Sequence, residues 1–143
     1  MTPFQKTLNQ LWKTLVTNAS SAGIDYGILF LLSELTGITR GNWIIPLNAV
    51  SFTIATLNSY HFNKNWSFGD RSEFEHGKKF SLFLIVSIIA VVINTTIVRV
   101  VTTNVHPWFN LSPIIWLLAS KSMASIFSFS WNFFGYKFIV FKK

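Results

Sequence analysis

Four stretches of this chain are long and apolar enough to cross a hydrocarbon layer, and that leaves few folds open. Crossing ~30 Å takes roughly twenty helical residues at ~1.5 Å each. The stretches run over residues 11–35, 43–62, 80–102 and 113–136. Backbone polar groups find no water in lipid, so each must be bonded within its own segment, which a helix does. The expected fold is an all-α membrane protein, a single domain over residues 1–143 with four transmembrane helices.

The first stretch is the most polar, with Asn18, Ser20, Ser21 and Asp25; in lipid such a face turns inward on the bundle. Ahead of it, Phe4, Leu8, Leu11 and Trp12 recur at helical spacing. Those residues form either an amphipathic lead-in along the inner interface or a frayed tail. The first ten residues are polar and no small-residue cleavage site follows a short apolar core, so no removable signal peptide is expected.

Charge sets the orientation. Half the residues are hydrophobic, 12% are charged and the formal net charge is +7. Lys6, Lys13, Lys64, Arg71, Lys78, Lys79, Lys137, Lys142 and Lys143 fall on the N-terminus, the middle connection and the C-terminus, against Arg40 and the span-edge Arg99 on the other side. Positive flanks stay cytoplasmic, which predicts both termini and the middle connection inside. The basic residues flank apolar runs and do not stripe a soluble face, so no nucleic-acid partner is expected; anionic membrane lipids are the natural counter-charge.

The chain also repeats itself. Leu57–Phe68 closes the second stretch with an amide, aromatics, a lysine and a phenylalanine, and Ser130–Phe141 closes the fourth in the same way. Without gaps, Ser59 pairs with Asn132, Lys64 with Lys137, Phe68 with Phe141 and, further up, Asn48 with Lys121. Ile24-Asp25 and Ile93-Asn94 match in the outgoing helices. Each half would run in-out-in, giving two parallel two-helix repeats about an axis along the membrane normal.

Depth along the spans sorts the intramembrane charges into two layers. Asp25 and Lys121 fall near mid-membrane, and Glu34 and Arg99 near the outer face. An isolated charge at mid-bilayer costs about 2.5–3.5 kcal/mol on insertion scales, so partners at equal depth are expected to pair. That predicts an Asp25–Lys121 pair across the first and fourth helices, its repeat equivalent Asn94–Asn48 across the third and second, and a Glu34–Arg99 pair across the first and third. The Asp25–Lys121 pair either fixes helix order or takes part in function, and Arg99 either snorkels to headgroups or meets a substrate.

Catalytic patterns are missing: no pair of intramembrane carboxylates, no Ser/His/Asp order, no Gly-rich phosphate loop and no acidic cluster. Neither an enzyme nor a cofactor is expected. His61 and His106 have no partner at ligand spacing, so no metal is expected either. Asp70, Glu73, Glu75 and His76, among Arg71, Lys78 and Lys79, read as a solvated connection. Cysteine is absent, which removes disulfides and thiolate sites.

Four short spans, Ser59-Tyr60-x-x-Asn63-Lys64-x-Trp66-Ser67-Phe68 after the second and Asn132-Phe133-x-x-x-Lys137-x-x-Val140-Phe141 after the fourth, resemble the GtrA-like family. The similarity runs from Gly23-Ile24-Asp25 through Asn48-Ala49 to Lys121. The chain departs from the family pattern at Asn18–Ala22, where a glycine-rich start is usual, and in having Tyr136 and Ile139 opposite Asn63 and Trp66.

The resemblance implies a multi-pass protein of the bacterial cytoplasmic membrane that moves a polyprenyl-phosphate-linked sugar, often glucose, to the outer leaflet. There a separate membrane glycosyltransferase would decorate teichoic acid, O-antigen or another envelope polymer. Such a lipid needs a cationic landing point inside, for which Lys64 and Lys137 serve with Asn63, Asn132 and His61. It needs a polar track, for which Asn18, Ser20, Ser21, Asp25, Asn48, Asn94 and Lys121 serve, and Arg99 and Arg40 would receive the phosphate outside. Four helices enclose a headgroup poorly, so a homo-oligomer, a dimer, is expected. Two other roles compete. One is an accessory subunit that anchors a glycosyltransferase without transport. The other is a small cation or drug antiporter, which would want an unpaired carboxylate where Lys121 stands beside Asp25.

Overall fold

The computed structural model describes residues 1–67, 69 and 76–140, with His76 as backbone only. Phe68, Asp70, Arg71, Glu73, Glu75, Phe141, Lys142 and Lys143, and the His76 side chain, lie outside the described residues. The described chain is helical, without strands: α1 Pro3–Thr36, α2 Ile44–Phe62, α3 His76–Asn104 and α4 Pro113–Gly135.

Local chemistry explains where the helices begin and end. Thr2 accepts from the Gln5 N–H at 3.2 Å and its own N–H donates to Gln5 Oε1 at 2.9 Å, a capping box just before Pro3. The N-terminal stretch is thus the start of α1, one continuous helix of 34 residues, and not a frayed tail or a separate lead-in. Phe4 and Trp12 are exposed there. At its far end Gly37 adopts φ 72° and donates to Ser33 O, a left-handed cap that few other residues tolerate. Ser112 and Pro113 open α4 in the same way as Thr2 and Pro3 open α1.

The four helices pack in an antiparallel ring. Asn58 and Ser59 of α2 bond to Ser21 and Asn18 of α1, Val86 and Val101 of α3 accept from Trp131 and Trp116 of α4, and Lys137, just past α4, reaches Thr7 and Gln10 of α1. The first and last helices therefore begin and end at one end of the bundle. At the other end the Gly41 N–H donates to Thr103 Oγ1, tying the first connection to the last turn of α3.

Three helical spans, Pro3–Thr36, Gly77–Asn104 and Pro113–Val140, are long and apolar enough to cross a membrane. The fourth, α2, is 19 residues long, ~28 Å. It falls short in hydropathy because Asn48, Ser51, Thr56 and Ser59 line its buried side while Val50, Ile54 and Leu57 face outward. The same inversion marks α1, whose buried residues are Thr14, Thr17, Ser21, Asp25, Leu29 and Ser33. Polar side chains inside and apolar ones outside is the arrangement that lipid selects. Two apolar clusters, Leu29, Ile44, Val98, Leu117 and Ala124 toward one end and Phe83, Val86, Tyr136 and Val140 toward the other, sandwich a polar layer at mid-height.

Candidate functional site

The centre of the polar layer is built from one side chain on each helix, Asp25, Asn48, Asn94 and Lys121, with Thr95 and Ser128 beside them. The buried face of α1 carries Ser21, Asp25 and Leu29 at four-residue spacing, and that of α4 carries Lys121, Ser128 and Asn132. Lys121, fully buried, donates to Asp25 Oδ2 at 2.7 Å, Asn48 Oδ1 at 2.6 Å and Asn94 Oδ1 at 3.2 Å. Asn48 Nδ2 donates to Asn94 Oδ1 at 3.1 Å and Thr95 Oγ1 at 2.9 Å, and Asn94 Nδ2 donates to Ser128 Oγ at 3.0 Å. The Asp25–Lys121 and Asn94–Asn48 pairs are thus one network. An ammonium has three protons and an amide nitrogen two, so Lys121 and Asn48 have no donor left over. The layer is neutral as a unit, and Lys121 also lies 5.3 Å from the centroid of the Phe52 ring.

From Asp25 toward the termini a cavity of about 90 Å³ runs between α1, α2 and α4, with Asn18, Ser59, Ser128, Asn132, Phe52 and Phe129 in its walls. Asn18 accepts from Ser59 Oγ at 2.7 Å, and Ser59 in turn accepts from Asn63 Nδ2 at 2.9 Å. Three side chains that line the cavity each keep one buried polar atom without a protein partner among the described residues: Asp25 Oδ1, Asn132 Oδ1 and Asn18 Nδ2. Unsatisfied buried groups are rare enough in folded proteins that each needs a reason.

At the termini end, both closing motifs leave α-helical geometry in the same way. Asn63–Ser67 and Tyr136–Val140 are π-helical, and the spacing that separates these turns also separates Lys64 from Lys137. π-turns often mark functional sites. Lys137 donates to the neutral acceptors Thr7 Oγ1 at 2.7 Å and Gln10 Oε1 at 3.3 Å and lies near the Phe133 and Phe138 rings, with no carboxylate partner among the described residues. Lys64 is half-buried and His61 exposed. Lys13 donates to Trp66 O and lies over its ring. A larger cavity, about 470 Å³, opens beside them between Thr17, Ser20, His61, Asn65 and Trp66.

At the opposite end the expected Glu34–Arg99 pair does not form. Arg99 gives Nε and Nη2 to Asn42 Oδ1 at 3.0 and 2.9 Å, and Glu34 is exposed. The two share a depth, but α1 and α3 stand on a diagonal of the ring with α2 and α4 between them, whereas Asn42 lies on the connection beside α3. Arg40 borders a separate cavity of about 310 Å³ with Thr39, Thr103, Asn104 and His106. Ser20 is exposed, off the buried stripe of α1, and does not join the polar layer.

Thr95, Ser128, Phe52 and Phe129 are site residues that sequence reasoning missed. Ser128 was legible in principle, since it follows Lys121 by two turns on one face, but serines in apolar helices usually bond their own backbone. Ser128 does that too, to Ala124 O at 3.0 Å.

A family profile described as the GtrA/DPMS transmembrane domain matches residues 15–141, nearly the whole chain. No curated protein and no solved structure matches it. The match and the three apolar helices identify a multi-pass membrane protein.

Proposed function

Since the chain belongs to the GtrA/DPMS transmembrane domain family, we propose that it carries a polyprenyl-phosphate-linked sugar, glucose being the first candidate, across the bacterial cytoplasmic membrane. The sugar then serves a membrane glycosyltransferase that decorates an envelope polymer such as teichoic acid or O-antigen. The chain itself makes and breaks no covalent bond.

The observation that carries this reading is the buried layer of Asp25, Lys121, Asn48 and Asn94. Ionisable and amide groups at that depth are costly, and a polar interior open toward one face is what a headgroup requires while its tail stays in lipid. Lys64 and Lys137 receive the phosphate at the inner face, with Asn63 nearby on the first turn. The termini lie inside, as the lysines demand. The matching π-turns and the paired geometries of Asp25–Lys121 and Asn94–Asn48 support two parallel repeats about one axis. A second copy of the chain completes the walls around the headgroup. The carboxylate–ammonium pairing argues against proton-coupled antiport, which uses a free carboxylate.

The test is reconstitution of the purified chain into liposomes holding a labelled polyprenyl-phosphate-glucose. Periodate added outside reports how much sugar faces outward. The chain is expected to speed equilibration between leaflets well above that of empty liposomes. A rate equal to the empty control that stays there when a glycosyltransferase is added would replace transport with an anchoring role.

A further inference from the structure

The network at mid-height is saturated on one side and open on the other, and this separates two jobs usually given to one lysine. All three Lys121 protons are committed to Asp25, Asn48 and Asn94. A phosphate could bind there only by breaking those bonds, with the Asp25 carboxylate repelling it. What stays unpaired is Asp25 Oδ1, together with Asn132 Oδ1 and Asn18 Nδ2, atoms covered in this structure on side chains that line the cavity, so a small turn of each side chain brings it to a ligand there. Asp25 and Asn132 are 4% and 6% exposed, and all three line the 90 Å³ cavity. The opening offers acceptors and a donor, two aromatic walls in Phe52 and Phe129, and no uncompensated cation.

We propose that this cavity binds the neutral, hydroxyl-bearing part of the transported lipid, one edge of the sugar ring, and excludes its phosphate. A hydroxyl both donates and accepts, so neighbouring hydroxyls satisfy Asp25 Oδ1, Asn132 Oδ1 and Asn18 Nδ2 together. C–H groups at that edge lie against Phe52 and Phe129, the usual division in small-molecule sites between apolar walls and a few placed polar groups. The cavity, about 90 Å³, has room for several hydroxyl-sized groups at roughly 10–15 Å³ of such space each. The phosphate stays at the inner rim with Lys64 and Lys137. Lys121 is therefore a positioning residue: it fixes the Asp25 carboxylate so that Oδ1 meets the sugar.

The assignment rests on the translocase reading, and binding to the detergent-solubilised protein tests both. The probes are a short-chain prenyl phosphate carrying glucose and the same prenyl phosphate without it. The wild type is expected to bind the glycosylated probe about tenfold more tightly, the value of a hydrogen bond or two to a buried charged or amide group. Asn132→Leu should erase that preference by weakening the glycosylated probe far more than the sugar-free one. Asn18→Leu provides the same readout from another helix should Asn132→Leu fail to elute as a monodisperse species. Equal binding of both probes by the wild type would overturn the sugar assignment and leave the lipid-phosphate reading standing. Binding of neither would overturn the translocase reading and this site with it.

Discussion

At the residue scale, Lys121 decides the most. Removing one partner of a buried ion pair leaves the other charged and unpaired, which costs about 3–5 kcal/mol, whereas replacing both with apolar side chains is often neutral or stabilising. Lys121→Met is therefore expected to lower the unfolding midpoint in detergent markedly, and Asp25→Leu added to it should restore most of the loss; additive losses would contradict the pairing. Residue types and helical rise were enough to put Asp25 with Lys121, because depth follows from counting. Counting gives height and not direction around the helix. That is why Glu34 and Arg99, at one height but on diagonal helices, were expected to pair and do not. For the same reason the convergence of Asn48 and Asn94 on Lys121 was not legible, although each pair was.

At the element scale, α3 and α4 are in close contact where Gly135 faces Val86. A Cβ at Gly135 would sit 2.6 Å from one Val86 methyl and 3.1 Å from the other, and a β-branched side chain has little freedom to turn away. Gly135→Ala is expected to destabilise the bundle by about 1–3 kcal/mol, and Val86→Ala in the same chain to relieve it, both read by thermal unfolding. An unchanged unfolding temperature in Gly135→Ala would mean that the helices part without cost. The four helices were legible from apolar run length, and α2 shows the limit of that signal: its buried amides and hydroxyls dilute the hydropathy that identifies a span. The two π-turns were visible only as a weak sequence echo, since a repeated Lys and Phe do not reveal that the helix widens there.

At the scale of the whole molecule, the first claim to check is orientation. With no native cysteine, single cysteines report side directly. Asn104→Cys should react with an impermeant maleimide in intact cells, and Asn9→Cys only after the membrane is opened; the reverse would invert the topology drawn from the lysines. The bundle as a whole keeps its charges in a neutral, hydrogen-bonded layer between two apolar clusters, and it opens that layer toward the end where the lysines gather. Under the proposed function the layer exists for passage and not only for packing. The Asp25→Leu, Lys121→Met double variant separates the two, because it retains a filled, uncharged core while closing the open face of the cavity. Its rate of polyprenyl-phosphate-glucose translocation in liposomes, measured beside wild type at equal incorporation, is predicted to fall to that of empty liposomes although the protein remains folded. Translocation at the wild-type rate by the folded double variant would contradict the account and leave the ion pair a purely structural device.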